Sequence, residues 1–230
     1  MKLITWNVNS IRIRLELLKH LCEQENPDII CLQEVKAKEE DFPFEAVKAL
    51  GFEHIALYGM AGYNGVAILS KHPLKNPEKR DWVGKQDARH IKACVFDDIE
   101  INDLYIPAGG DIPDPVINLS LHTSCVLWTT YQNISSSKNY PGRIKKCSSA
   151  RDFNVAPSEN DVWNHKQLLK IVSHTPVEVE RLTRLFQSLD FCRRRTQILS
   201  RNRKNIFLVE LIATPTGQPT TKADGLITSG

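Results

Sequence analysis

The chain lacks several features whose absence narrows what it can be. No apolar run approaches the roughly 20 residues that a membrane-spanning helix needs. The opening, Met1-Lys2-Leu3-Ile4-Thr5-Trp6-Asn7, is already strand-like and turns polar at once, so no secretion leader and no membrane role are expected. The six cysteines show neither metal-ligand spacing nor a dense disulfide framework, and they read as reduced thiols of a cytoplasmic protein. A net charge of +3 is too small to announce a nucleic-acid partner by itself. What is present is enough for a core: 230 residues suit one large domain or two small ones, and 41% of them are hydrophobic.

The organising stretch is Pro27-Asp28-Ile29-Ile30-Cys31-Leu32-Gln33-Glu34-Val35-Lys36. Ile29 to Leu32 is an unbroken apolar run rich in branched side chains, the pattern of a strand buried on both faces. It ends on Gln33 and Glu34, and a carboxylate at that place is costly to desolvate unless it meets a cation or a donor. Three other short strands also end in an amide, phenol or carboxylate: the one through Asn7, the one through Tyr105, and the one through Asp152 and Asn154. Convergence of such ends from distant sequence is how a site for a hard cation is assembled.

In chain order, Lys2 to Val8 alternates as a strand. Asn9-Ser10 offers a cap to a helix over Ile11 to Glu23, and the buried strand to Glu34 completes a strand–helix–strand unit. Asp41 to Leu50 is a second helical pattern closed by Gly51. Strands then follow at close spacing over Glu53 to Leu57, Gly65 to Ser70, His90 to Phe96 and Asn102 to Ile106, which suggests two sheets packed face to face. From Val116 to Ala150 no period is sustained, and a patternless stretch of that length inside a compact domain is suspect. Asn164 to Val172 is helical, and Thr175-Pro176-Val177-Glu178 is a helix start with cap, proline and capping-box glutamate, running to about Asp190. Beyond Cys192 only Ile206 to Leu211 reads as a strand.

Trp6-Asn7-Val8-Asn9-Ser10, Leu32-Gln33-Glu34, Gly65-Val66-Ala67-Ile68-Leu69-Ser70, Tyr105-Ile106-Pro107-Ala108-Gly109-Gly110 and Asp152-Phe153-Asn154 resemble, in order, the blocks of the exonuclease III class of AP endonucleases. That class lies within the endonuclease/exonuclease/phosphatase superfamily. The resemblance covers 1–115 and 150–191. It implies a single domain over 1–230 with an α/β fold of two packed mixed β-sheets flanked by helices, a four-layer α/β sandwich whose C-terminal part is incomplete. It also implies a DNA-repair hydrolase: an AP endonuclease and 3′-to-5′ exonuclease on double-stranded DNA with abasic sites or 3′ ends, cytoplasmic and monomeric. The cofactor it implies is Mg²⁺ or Mn²⁺, held by Asn7, Glu34, Asp152 and Asn154. Tyr105, Asp152 and Asn154 take catalytic places, with Asp152 activating the water and Asn154 donating to the phosphate. Lys36, Lys38 and the Arg89-His90 pair are phosphate contacts in this scheme. A plain structural role would account for each alone: Asn7 as a strand end, Tyr105 as a core aromatic, Asp152 and Asn154 as an Asx turn, and the basic residues as solvated surface. A catalytically defective remnant and a small-molecule or lipid phosphatase of the same superfamily are the other functions this pattern admits.

The departures are as informative. The family closes on a Gly-Arg-Arg-Leu-Asp-His block, and no Asp-His pair occurs in this chain. Codons GGC AGA CGG CTT GAT CAC ATC TGG encode Gly-Arg-Arg-Leu-Asp-His-Ile-Trp. Read one base later they give Ala-Asp-Gly-Leu-Ile-Thr-Ser, which is Ala223 to Ser229. A family-like Phe-Val-Asp-Ala with one inserted T becomes Phe191-Cys192-Arg193-Arg194, and a shifted family helix reproduces His122-Thr123-Ser124-Cys125-Val126-Leu127-Trp128. The expectation is that 116 to about 150 and 192–230 are out-of-frame translation and poorly ordered, the alternative being simple divergence.

Overall fold

The computed structural model describes residues 1–81, 84–96, 99–107, 146–152, 154–156, 158–162, 164–169, 171, 173–188, 196–198 and 206–210, with the backbone alone for 146–152, 161, 185–188, 196–198 and 206–210. Among these, two sheets form. The first has six strands in the order β3-β4-β2-β1-β10-β9, and the second four in the order β5-β6-β7-β8. The strands are β1 (Lys2–Asn7), β2 (Ile29–Gln33), β3 (His54–Tyr58), β4 (Val66–Ser70), β5 (Lys75–Arg80), β6 (His90–Val95), β7 (Ile99–Tyr105), β8 (Lys146–Asp152), β9 (Thr196–Ile198) and β10 (Ile206–Glu210). Both sheets are mixed. β1 runs parallel to β2 and β7 parallel to β8, while the other pairings are antiparallel.

Alternation along each strand sends its residues to two cores. Leu3, Ile29, Cys31, Val66 and Ile68 meet Ile91, Ala93, Val95, Ile99 and Ile101 between the sheets. Ile4, Trp6, Ile30, Leu32, Ala67 and Leu69 face the other way, against helix α1 (Leu15–Glu25) through Leu18 and Leu21 and helix α2 (Phe44–Lys48) through Val47. Ile29 to Leu32 is fully buried, as a strand covered on both faces must be, and each such large side chain contributes roughly 1.5–3 kcal/mol.

The helix start expected at Asn9-Ser10 lies later. Those residues have φ of 44° and 82°, and the helix begins after Arg14 with no side-chain cap. The reason is backbone demand: the Ser10 and Ile11 amides donate to the Glu34 and Val35 carbonyls, so chain 9–11 prolongs the β1–β2 pairing instead of turning into helix. α2 is likewise shorter than expected and starts after Pro43, while Gly51 closes its end at φ 92°. The helix expected over 164–172 is confined to α3 (His165–Leu168), capped by the Asn164 side chain. Helix α4 (Pro176–Ser188) begins where the capping box placed it, with the Glu178 carboxylate accepting from the Thr175 amide and hydroxyl. β5 was not expected. Its exposed Lys-Asn-Pro-Glu-Lys-Arg run has no alternation to announce a strand, and its charges suit the sheet edge it occupies.

Most of 116–150 and 192–230 lies outside the described residues. Inside them, 146–150 belong to β8, while 196–198 and 206–210 are β9 and β10. The strand expected at Ile206 to Leu211 thus appears over Ile206–Glu210, paired antiparallel with β1.

Candidate active site at the strand ends

The parallel β1–β2 pair brings Asn7 opposite Gln33, and the parallel β7–β8 pair brings Tyr105 opposite Asp152. All four strands point the same end at the gap between the sheets, and along that gap the chemistry is graded. Deep inside are Leu3, Ile29, Cys31 and Ile101. Next comes a buried polar layer, in which Gln33 Nε2 donates to Asp103 Oδ1 at 2.6 Å and to Thr5 Oγ1 at 3.0 Å. At the mouth stands Glu34.

Glu34 Oε1 accepts from Asn7 Nδ2 at 2.8 Å and from the Tyr105 hydroxyl at 3.0 Å, while Oε2 pairs with Lys36 Nζ at 2.8 Å. Burial alone would raise its pKa, but the hydrogen bonds from Asn7, Lys36 and Tyr105 outweigh it and hold the carboxyl below its ordinary value. Glu34 is therefore an ionised carboxylate fixed by three donors. The Lys36 ammonium also reaches Asn9 Oδ1 at 2.6 Å, tying the two loops together.

The loops that carry these groups are backbone-paired past the strand ends. Val35 donates to Gly65 O, Lys36 to Asn64 O, Gly65 to Ala88 O, and Tyr105 to Arg89 O. Holding that close ladder needs unusual conformations: Asn9, Ser10, Glu34, Lys36, Asn64 and Ala88 all have positive φ. Such residues cost of order 1–3 kcal/mol each and persist only where surroundings over-determine them. Gly65 fits the same crowding, since a Cβ there would meet Val35 Cβ at 3.2 Å.

Arg89 pairs through Nε with Asp87, and its guanidinium lies 5.1 Å from the centroid of the Tyr105 ring. Its Nη1 is buried and makes no hydrogen bond among the described residues. Asn154, at φ 50°, donates from Nδ2 to Ile106 O at 2.7 Å, one residue past Tyr105. Asp152 is placed by strand register alone. Of the residues named from sequence, Asn7, Glu34, Tyr105 and Lys36 are thus in direct contact. Arg89 sits against Tyr105 and Asn154 reaches the adjoining peptide, whereas Lys38 is exposed and pairs with Glu40. His90 is also away from solvent, 1% exposed, and bonds Asn102. Sequence reasoning missed the layer beneath: Asp103, 0% exposed, is a carboxylate in an otherwise apolar strand face, and that was the signal for it.

The donor set bears on what cation this place could take. Among the described residues it offers the oxygens of Glu34 and the amide oxygen of Asn7, and no sulfur or imidazole. Among the described residues no group of three or more His, Cys, Asp or Glu could hold a metal. Carboxylate and amide oxygens are the ligands of a hard divalent cation, and Glu34 with Asn7 would hold one here. Among the described residues no helix is long and apolar enough to cross a membrane.

Comparison with known proteins agrees with this architecture. Exodeoxyribonuclease III of Haemophilus influenzae is 36% identical over 100 residues, covering 44% of this chain and 36% of that protein. DNA repair nuclease APEX1 of Danio rerio is 27% identical over 200 residues, covering 82% of this chain and 60% of that protein. The chain thus spans less than two thirds of either relative. Among solved structures, a 3′ phosphatase from Neisseria bound to product DNA hairpin superposes with TM-score 0.71 at 26% identity, covering 82% of this chain and 71% of that one. An AP endonuclease from Archaeoglobus fulgidus shares the fold at TM-score 0.71 and 24% identity, covering 90% and 86%. The model of the endonuclease/exonuclease/phosphatase family matches residues 4–142, more than half of the chain and the part that builds β1 through β7, and to that family the chain belongs.

Proposed function

We propose that this protein is a Mg²⁺-dependent phosphodiesterase of DNA repair, acting on duplex DNA at abasic sites and at 3′ ends as a monomer, and slowed as written. One observation carries the proposal. Asn7, Tyr105 and Lys36, from separate positions in the chain, converge on a single carboxylate and hold it ionised at the mouth between two sheets.

Hydrolysis of a phosphodiester needs a water deprotonated on one side of phosphorus, charge stabilised on the phosphoryl oxygens, and an alkoxide leaving on the far side. Glu34 and Asn7 would hold a divalent cation, which when bound would supply Lewis acidity toward the phosphoryl oxygen. Asp152, at the end of β8, accepts the proton of the attacking water. Asn154 donates to a phosphoryl oxygen, and the Tyr105 phenol stands near the scissile phosphate with its hydroxyl hydrogen on Glu34. Arg89 and Lys36 face neighbouring phosphates, where contacts position the duplex without reading its sequence.

The family's closing Asp-His pair does not occur in the 230 residues. Loss of one preorganised donor to the transition state costs about 10²–10³ in rate. The chain as written is therefore at least about a thousandfold slower than an intact relative on that scale, and a remnant that binds cation or DNA without turnover is the limiting case. Out-of-frame translation over 116 to about 150 and 192–230 explains the loss. An uninterrupted reading frame in the nucleotide sequence, matching no shifted family block, would sink that explanation. Activity is tested with an abasic duplex beside an inositol phosphate. Turnover of the second alone would make the protein a small-molecule phosphatase.

A further inference from the structure

Asn154 holds a left-handed backbone, at φ 50°, in a residue that is not glycine. Its neighbours must enforce that. On its upstream side β8 is locked to β7, and its side-chain Nδ2 donates to Ile106 O. The downstream lock is a clamp on the Ala156 peptide. The Ala156 N–H donates to Ser173 O at 2.8 Å, and the Ala156 carbonyl faces His174 Nδ1 at 2.7 Å. A carbonyl only accepts, so Nδ1 of His174 carries a proton.

His174 is 4% exposed, and its other nitrogen is also used: Nε2 lies 2.8 Å from His165 Nδ1. Two N–H groups cannot face each other at that distance, so one proton is shared along the line. With His174 neutral, His165 is the donor. His165 Nε2 in turn lies 3.4 Å from Glu159 Oε1. On the far side, residues 173–175 are held by the Glu178 carboxylate, 1% exposed, which accepts from the Ser173 and Thr175 amides.

We propose that His174, set in its tautomer by His165, is a positioning residue that fixes Asn154 at the mouth of the site through the Ala156 peptide. The functional part of this rests on the reading of Asn154 as a phosphate donor given above.

The test uses the full chain. Nitrogen-15 NMR of the imidazoles is expected to show His174 as the neutral Nδ1–H tautomer, with Nε2 accepting. In H174L, amide exchange at Ala156 accelerates by about tenfold, the worth of one net hydrogen bond. Cleavage of an abasic duplex falls in kcat by a similar factor while KM holds, because the donor acts on the reacting phosphate. H174N places an amide N–H where Nδ1 stood and restores both. H174Q places its donor at the Nε2 position and restores neither, so the pair decides the matter even if H174L does not fold. The Nε2–H tautomer, unchanged exchange at Ala156 in H174L, or equal behaviour of the Asn and Gln variants would overturn the proposal. If the parent chain cleaves no DNA, the reading of the active site fails, and tautomer and exchange still decide the clamp.

Discussion

The two ends of strand β2 each carry a carboxylate beside nitrogen groups, and they are built differently. At the start of the strand, Asp28 accepts from the Lys2 amide at 2.6 Å and lies 3.7 Å from His72 Nε2, with its side chain 34% exposed. At the finish, Glu34 is 18% exposed and has three side-chain donors. The backbone around Glu34 runs through consecutive left-handed residues, Asn9 with Ser10 and Glu34 with Lys36 nearby, while Asn26 beside Asp28 is an ordinary helix end. The Asp28 end satisfies the backbone and stops. The Glu34 end holds strained peptides and a desolvated charge over a second buried layer, Gln33 with Asp103. Left-handed residues packed around a partly buried charge persist only where the surroundings over-determine them, and such a strand end is where function is to be sought.

The sharpest way to break the comparison is to neutralise each carboxylate in turn. Glu34→Gln is expected to lower phosphodiester cleavage by about 10²–10³ and to weaken Mg²⁺ binding more than any other single change. Asp28→Asn should leave both alone. Equal losses in titration calorimetry and in an abasic-duplex assay would dissolve the distinction. Next in size is the strand between them. Ile30→Ala removes a fully buried side chain and should cost about 2–5 kcal/mol in denaturant unfolding. Asp103→Ala leaves Gln33 Nε2 buried without its 2.6 Å partner, a loss of about 1–3 kcal/mol in denaturant unfolding.

The pH dependence has a defined sign. Glu34 is held below its ordinary value of 4.5, so the folded state binds the proton less readily than the unfolded one. Its contribution is fully present above that ordinary value and is lost as pH falls below it through the folded one. Glu34→Gln should therefore flatten the acid limb of the stability curve measured by denaturant unfolding across pH. The smallest expected effect is Arg184→Ala, which breaks an exposed pair with Glu180 at 2.6 Å and should change stability by no more than about 0.5 kcal/mol.

Much of this was legible in sequence because strand burial writes a simple pattern. Ile29 to Leu32 announced a strand covered on both faces, and the polar ends at Asn7, Glu34 and Tyr105 announced that something waited beyond it. The capping box at Thr175 and Glu178 marked the start of α4 correctly. What could not be read was set by pairing across the chain. Nothing local says that the Ser10 and Ile11 amides are claimed by Glu34 and Val35, which is what delays helix α1. Nor does Lys75–Arg80 look like a strand, because its charges answer to an edge position that only the sheet defines. The clamp on Ala156 needed two histidines nine residues apart to face each other, a contact created by the turn between α3 and α4.

The decisive measurement is cleavage of a duplex carrying one abasic site by the 230-residue chain. Scission at the abasic site is expected to appear with Mg²⁺, to disappear with a chelator and with Glu34→Gln, and to run at least about a thousandfold below an intact relative. Cleavage that survives both chelation and loss of the Glu34 carboxylate, or a rate equal to that of an intact relative, would contradict it.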